Sequence, residues 1–206
     1  MPVPEKLVVL IPCRLNSRRL PRKALLPIGN IPLIGLVYKN TLTSLKALKI
    51  DSEIFVCTDS DEIIDFLKKS SIPFLKTSSN PTNGTERIAE AFIKEGKKYD
   101  LILDIQGDEP LISPKHIDQV INHHLKNSET EIILPTLKIR SLINQNLIKV
   151  ITDQNNNVLY LSRAQIPFEF KNINRNMKKH LSIISFTPDA LKKFALHKQT
   201  PLEKIE

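Results

Sequence analysis

The sequence predicts an α/β fold, a doubly wound and mostly parallel sheet of Rossmann-like type that carries a smaller arm of mixed strands. Short apolar segments alternate with segments of helical spacing as far as residue 127, as is typical of parallel strands with helices on both faces of the sheet. After residue 127, strands follow one another with few helices between them. The length of 206 residues is about 1.4 times a domain of ~150 residues, which favours one domain with an arm.

The first part of the chain, residues 1–127, contains the predicted α/β core. Continuous apolar runs bounded by turn residues predict strands at 6–12, 53–58, 73–76 and 101–105. Apolar residues at helical spacing predict helices at 32–46, 61–69, 85–97 and 114–125. Pro114 stands in the first turn of the last helix, where its missing N–H costs no hydrogen bond.

The second part, residues 128–190, is the predicted region of mixed strands. Strands are expected at 131–139, 148–152, 158–162 and 181–187, and the turn at 153–157 predicts a hairpin. We expect residues 1–206 to form one domain composed of these two parts. Ligands of open α/β sheets bind beyond the carboxyl ends of the strands, so the residues directly after each strand are the candidate site residues.

Composition indicates a soluble globular protein of the cytoplasm. Hydrophobic residues make up 41% and charged residues 25%, which argues against disorder. The longest uncharged run, residues 24–38, is interrupted by proline and glycine and is shorter than the ~20 apolar residues of a membrane span. The N-terminus lacks a signal-peptide pattern. The two cysteines, Cys13 and Cys57, are too few for a disulfide scaffold and indicate reduced thiols.

The charge balance suggests an anionic partner. The 30 basic and 22 acidic residues leave a net charge of +8, which suits a nucleotide, a nucleic acid or an acidic metabolite; richness in lysine alone is the other interpretation. Four of the eight arginines fall between Arg14 and Arg22. Aromatic residues are only 5%, which argues against a nucleic-acid binder because such proteins stack bases on aromatic rings.

The basic segment directly after the first strand is the first candidate site. It carries Arg14, Ser17, Arg19 and Lys23 within the sequence PCRLNSRRLPRK. Arginine forms forked hydrogen bonds to phosphate oxygens and lysine supplies a compact charge. The segment therefore predicts a phosphate clamp, although it lacks the glycine-rich P-loop pattern. A solvated basic loop is the alternative.

Candidate residues also follow the later strands. Gln106, Gly107 and Asp108 come after the strand at 101–105, and a carboxylate at this edge of the sheet can hold Mg²⁺ against phosphates; a plain turn is the alternative. The segment from Gly84 to Arg87 opens a helix, where Thr85 is expected either to cap the helix or to lie near a ligand.

The motifs taken together resemble the cytidylyltransferases that activate 3-deoxy-manno-octulosonate (Kdo), the CMP-Kdo synthetases. The early motifs occur in family order, as P-x-R-x-x-S-x-R-L-P-x-K, T-D, G-T-E-R and QGDEPLI. The later segments NQNLIKVI, NNNVLYLSRAQIPF, KHLSIISF and TPLEKIE are similar to the family's later motifs. The first motif is shared with other sugar nucleotidyltransferases, whereas QGDEP together with the SR-x-x-IP block is much more specific. The resemblance extends over nearly the whole chain.

The resemblance implies a role for each matching residue. It places the CTP phosphates on Arg14, Ser17, Arg19 and Lys23, with Arg19 and Lys23 neutralising the leaving pyrophosphate. It assigns Mg²⁺ to Asp108 and substrate contacts to Gln106. Gly84, Thr85 and Arg87 would lie near the nucleotide, and Arg163 and His180 on the side that receives the acidic sugar. The implied product, CMP-Kdo, serves lipopolysaccharide biosynthesis, and the implied assembly is a homodimer formed through the late strands.

The sequence also departs from the family pattern. Pro81, Thr82 and Asn83 replace the usual H-x-S, and Arg22 stands where glycine is common. Ser182 and Ile184 replace a glycine and a tyrosine. Family chains continue past the position of Glu206 with a segment that carries a further magnesium aspartate. Two alternatives therefore stay open: CMP activation of a different acidic sugar, and an inactive nucleotide-binding remnant.

Overall fold

The structure, a computed structural model, describes residues 4, 6–17, 20–140, 144–168 and 176–205. In chain order the strands and helices are β1 (Leu7–Pro12), β2 (Pro27–Ile28), β3 (Ile31–Pro32), α1 (Leu33–Leu48), β4 (Ser52–Thr58), α2 (Asp61–Lys69), β5 (Phe74–Lys76), α3 (Gly84–Glu95), β6 (Leu101–Ile105), α4 (Pro114–Lys126), β7 (Ile132–Ile133), β8 (Thr136–Arg140), β9 (Lys149–Thr152), β10 (Val158–Ser162), β11 (Asn176–His180), β12 (Ile183–Phe186) and α5 (Pro188–Leu196). They divide into two units, Met1–Ile133 with Ser182–His197, and Leu134–Leu181 with Lys198–Glu206.

The first unit is built on a six-stranded sheet of order β5-β4-β1-β6-β12-β7. Strands β5, β4, β1 and β6 are parallel, and β12 is antiparallel to both β6 and β7. The chain proceeds from β1 outward through β4 and β5 and then crosses to β6 on the other side of β1. The strand order thus reverses between β1 and β6, which is where open α/β sheets bind ligands. The predicted α/β fold with a mostly parallel sheet is confirmed.

The core of this unit lies on both faces of the sheet. On one face, Val8 and Leu10 of β1 join a buried cluster with Ile88 and Phe92 of α3 and Leu191 of α5. Successive strand residues point to opposite faces, so the alternate residues of β1 face the other side. Because all six residues of β1 are buried, the strand has the continuous apolar sequence that a doubly covered strand requires.

The second unit contains a four-stranded sheet of order β10-β9-β11-β8, in which every pairing is antiparallel. The predicted hairpin joins β9 to β10. Its turn is closed by the Asp153 carboxylate, which accepts hydrogen bonds from the backbone N–H groups of Asn155 at 2.9 Å and Asn157 at 2.7 Å. Strand β11, of sequence NMKKH, is absent from the sequence prediction because it lacks an apolar run.

The structure differs from the prediction in two further places. The single strand expected at 131–139 is two strands, β7 in the first sheet and β8 in the second. Pro135 stands between them, and proline has no N–H to continue a ladder. Strand β12, expected within the mixed-strand region, pairs with β6 in the first sheet. None of the described helices combines the length and apolar character needed to cross a membrane.

Candidate active site

The candidate site lies where the loops after β1 and β6 meet at the reversal of strand order. Gly107 makes this approach possible: a Cβ atom on this residue would lie 2.6 Å from the carbonyl oxygen of Pro12. Gly84, the first residue of α3, is also closely packed, since a Cβ there would lie 3.1 Å from the Pro12 ring and 3.3 Å from the carboxamide of Gln106. The ends of β1 and β6 and the start of α3 therefore converge, and each of the three contacts involves a glycine, either Gly107 or Gly84.

A cleft of about 160 Å³ opens at this point. Five of the sequence-predicted residues line it, namely Arg14, Ser17, Lys23, Gln106 and Asp108. The arrangement brings two cations, a hydroxyl, a carboxamide and a carboxylate to one cleft, although their positions in the sequence are up to 94 residues apart (108 − 14). Arg19, the remaining residue predicted for the phosphate clamp, lies outside the described residues.

Lys23 and Asp108 form an ion pair across the cleft. The Lys23 Nζ atom lies 2.6 Å from Asp108 Oδ2, and the two side chains are 34% and 51% exposed. An ion pair this exposed contributes only about 0–1 kcal/mol to stability. Both groups are therefore available to a ligand that offers each a stronger partner, such as a triphosphate with its cation.

Arg22, beside Lys23, has a backbone conformation that suits glycine. Its φ is 58°, in the left-handed region that residues other than glycine rarely adopt. This conformation gives a physical reason for the glycine that the family pattern has at this position. The Arg22 guanidinium forms an ion pair with Glu62 of α2.

Arg87, predicted to lie near the nucleotide, is buried and holds protein groups. Its guanidinium lies 3.0 Å from Asp59 Oδ1 and donates to Thr77 Oγ1 and to the Ser78 carbonyl. It thus ties α3 to the segments that follow β4 and β5. The first turn of this helix is capped by Asn83, whose Oδ1 accepts from the Glu86 N–H at 2.9 Å. The expectation that Thr85 caps the helix is wrong, because the helix begins one residue earlier, at Gly84.

Arg163 and His180 both lie in the second unit. The Arg163 guanidinium donates to the carbonyl oxygens of Gln145 at 3.2 Å and Asn146 at 3.4 Å. Burial, together with the positive charge of the neighbouring Lys179, lowers the pKa of His180 to about 4. The imidazole is therefore neutral near pH 7, so that Arg163 is the member of this pair that carries a positive charge.

Two buried charged residues were not predicted from the sequence, and each is hydrogen-bonded to a predicted site residue of its own unit. Lys149 is 1% exposed, and its ammonium donates to the carbonyl oxygens of Asn144 at 2.7 Å and Arg163 at 2.6 Å. Asp104 is fully buried in β6 and accepts hydrogen bonds from the side chain of Gln106. Both residues could have been found from the sequence, because each is a charged residue within an apolar strand: Asp104 in LILDI and Lys149 in IKVI.

Comparisons with known proteins agree with the resemblance seen in the motifs. The sequence model of the cytidylyltransferase family matches residues 8–206. A 3-deoxy-manno-octulosonate cytidylyltransferase of Francisella tularensis subsp. holarctica (strain LVS) is 37% identical, over 96% of this chain and 81% of its own length. The enzyme of the same name from a Nitratiruptor species is 34% identical, over 97% of this chain and 83% of its own.

A solved structure shares the fold. It is that of a CMP:2-keto-3-deoxy-manno-octonic acid synthetase complexed with CTP, and it aligns with a TM-score of 0.85 at 25% identity, over 98% of this chain and 82% of its own. Sequence model, relatives and fold therefore agree over nearly the whole chain. The chain belongs to the cytidylyltransferase family.

Proposed function

We propose that this chain transfers the cytidylyl group of CTP to Kdo, giving CMP-Kdo and pyrophosphate, the activation that supplies Kdo for lipopolysaccharide biosynthesis. One observation carries the proposal. Lys23 and Asp108 meet at the reversal of strand order, in a chain 37% identical over 96% of its length to an enzyme named for this reaction.

The donor set of the cleft suits Mg²⁺. Asp108 offers a half-exposed carboxylate, the hard oxygen ligand that Mg²⁺ prefers, and one or two carboxylates with substrate phosphates and waters are enough. Among the described residues no three His, Cys, Asp or Glu side chains form a metal cluster, so the phosphates would complete the shell. When bound, the ion would offset phosphate charge and polarise the α-phosphate.

The residues of the cleft would act mainly by positioning and by charge. Arg14 and Ser17 would bind the triphosphate oxygens, and Lys23 would leave Asp108 to neutralise the charge that develops on the departing pyrophosphate. The anomeric hydroxyl of the sugar attacks the α-phosphorus in line; the new O–P bond forms as the bond to pyrophosphate breaks, and the hydroxyl proton passes to solvent. Little covalent chemistry is asked of the protein in such a transfer.

On the sugar side, we assign Arg163 to the carboxylate of the acidic sugar, because a guanidinium matches a carboxylate with two parallel hydrogen bonds. His180, neutral near pH 7, would act as a hydrogen-bonding group. We place the reaction in the cytoplasm, where the buried thiols of Cys13 and Cys57 would stay reduced.

Pyrophosphate release tests the proposed reaction. With Mg²⁺ present, CTP and Kdo are expected to give faster release than Kdo with ATP, GTP or UTP, and faster release than CTP with other ulosonic acids. A thermal-shift series with the four nucleotides measures binding independently of turnover. Faster release with a different sugar would indicate the alternative acceptor. Stabilisation by CTP without release would indicate an inactive nucleotide-binding protein.

The edge strand β10 supports a homodimer. Val158, Leu159, Tyr160 and Leu161 are 45%, 64%, 37% and 39% exposed, and an apolar edge strand of this kind is a surface for pairing with another chain. We expect Leu159→Lys to shift the protein from dimer to monomer in light scattering after size-exclusion chromatography. Leu196→Lys is the matched control, since Leu196 is 83% exposed on α5. A protein that is monomeric before substitution would contradict the assignment.

A further inference from the structure

We infer that Asp104 is a positioning residue for the reaction: from inside the sheet it holds the carboxamide of Gln106 so that its oxygen is presented to the substrate as a hydrogen-bond acceptor. The kinetic consequences of this inference rest on the proposed function, but the orientation of Gln106 by Asp104 can be tested without turnover. Asp104 is 0% exposed, and it is not among the residues that line the cleft. Any effect it has on substrate must therefore pass through another residue.

That other residue is Gln106, which lines the cleft. Its Nε2 atom donates to both carboxylate oxygens of Asp104, at 3.0 Å and 3.1 Å. The Asp104 carboxylate also accepts from the side chain of Thr85 in the first turn of α3. One buried carboxylate thus joins the end of β6 to the start of α3. Thr85 and Gln106 are both among the residues predicted to bind substrate, as is Gly84, which lies against Gln106.

The hydrogen-bond pattern decides which end of the Gln106 carboxamide is left for a ligand. In its ionised form the Asp104 carboxylate can only accept, so it selects the NH₂ end of Gln106 and leaves Oε1 without a donor among the described residues. A ligand group that meets Gln106 Oε1 must then be an O–H or N–H donor. A sugar hydroxyl and the exocyclic amine of cytosine both have this chemistry, and separate KM values for the two substrates distinguish them.

Asp104 is costly to stability, which argues against a purely structural role. No Lys or Arg pairs with it among the described residues. Leu10 and Ile184 are its neighbours in the sheet, and the thiol of Cys57 is the titratable group that faces it from β4. Burial raises the pKa of Asp104 to about 7, although the hydrogen bonds from Gln106 and Thr85 lower it. Proteins retain such residues chiefly where function requires them.

Asp104→Asn is the sharpest test because a positioning role and a purely structural role of Asp104 predict opposite changes in the melting temperature. Asparagine keeps the shape but replaces one of the two acceptor oxygens with an NH₂ donor, so it no longer forces the NH₂ end of Gln106 inward and can instead pair with Gln106 Oε1, which takes the acceptor from the cleft. We expect kcat/KM to fall at least tenfold, mainly through a higher KM for the substrate that supplies the donor, while the melting temperature rises. Asp100→Asn is the control, since Asp100 accepts from the Lys6 N–H at the other end of β6. A lower melting temperature, or loss of folded protein, would contradict the inference.

The size of the stability effect depends on pH. The pKa of the Asp104 carboxyl group is raised from 3.8 to about 7 in the folded protein. The free energy of unfolding of the protein therefore falls as the pH rises through that interval. The gain in melting temperature from Asp104→Asn is therefore expected to be full above pH 7 and absent below about pH 4.

A double-mutant cycle establishes whether Asp104 acts through Gln106. Gln106→Ala should lower kcat/KM by a similar factor, and adding Asp104→Asn to it should cause no further loss. Additive losses, or unchanged kinetics in Asp104→Asn, would overturn the inference. The side-chain NH₂ resonances of Gln106, identified by their absence in Gln106→Ala, give a readout without turnover. They should shift in Asp104→Asn but not in Asp100→Asn, even if the protein fails to make CMP-Kdo; such a failure would refute only the proposed function.

Discussion

Asp108→Asn is expected to lower the rate of cytidylyl transfer by about 10³-fold, near the upper end of what the loss of one group that stabilises transition-state charge causes. Asp108 is the one carboxylate among the described residues that lines the cleft, so no neighbouring side chain there can replace it as the ligand of Mg²⁺. Asparagine keeps an oxygen but loses the charge, and the Mg²⁺ concentration for half-maximal rate should rise. Pyrophosphate release against Mg²⁺ concentration measures both changes.

The control for this variant is Glu109→Gln, which removes a charge from the adjacent position and is expected to leave the rate nearly unchanged. Folding should be unaffected in both variants, because the Asp108 side chain is 51% exposed and its ion pair with Lys23 contributes at most about 1 kcal/mol. An Asp108→Asn protein that turns over normally at low Mg²⁺ would refute the assignment of the metal to this residue.

Lys23→Ala is expected to lower turnover by about 10²-fold, because the leaving pyrophosphate would lose a cation placed at the cleft. The ion pair adds a second expectation. Lys23 Nζ lies 2.6 Å from Asp108 Oδ2, so it would compete with Mg²⁺ for the same oxygen. Removing it should lower the Mg²⁺ concentration needed for half-maximal rate, the opposite of the effect of Asp108→Asn.

Lys39→Ala is the matched control, since it removes a lysine from α1 that does not line the cleft. Steady-state pyrophosphate release across a Mg²⁺ series separates the two lysine variants from Asp108→Asn. If Lys23→Ala and Asp108→Asn shifted the Mg²⁺ dependence in the same direction, competition between the lysine and the ion would be ruled out.

The sequence predicted those parts of the fold in which the pattern of apolar residues along the chain matches the burial of the element in the structure. Helix α2 has the predicted bounds, Asp61–Lys69, because Ser60 caps its start and its apolar residues recur on one face. Strands β1 and β6 are continuous apolar runs, since both faces of the sheet around them are covered. The cleft could also be predicted from the sequence: Lys23 and Asp108 each follow a central strand, and parallel strands bring their carboxyl ends to one edge.

The rest depended on contacts between residues distant in sequence. No local pattern marks β11, since NMKKH is held by β8 and β9 on either side of it. The burial of Arg87, and its pairing with Asp59, follows from the packing of α3 beside the segment after β4.

Sequence by itself determined the α/β class, the order of the central elements and the residue types of the cleft, because helical and strand periodicities and residues next to strands are local properties. Only the tertiary structure decided that β12 returns to the first sheet, that Lys149 is buried, and that Asp104 orients Gln106. Desolvation and hydrogen-bond geometry are set by what surrounds a side chain in three dimensions. An aspartate within an apolar strand therefore shows that something must satisfy it, but only the fold shows that Gln106 and Thr85 do.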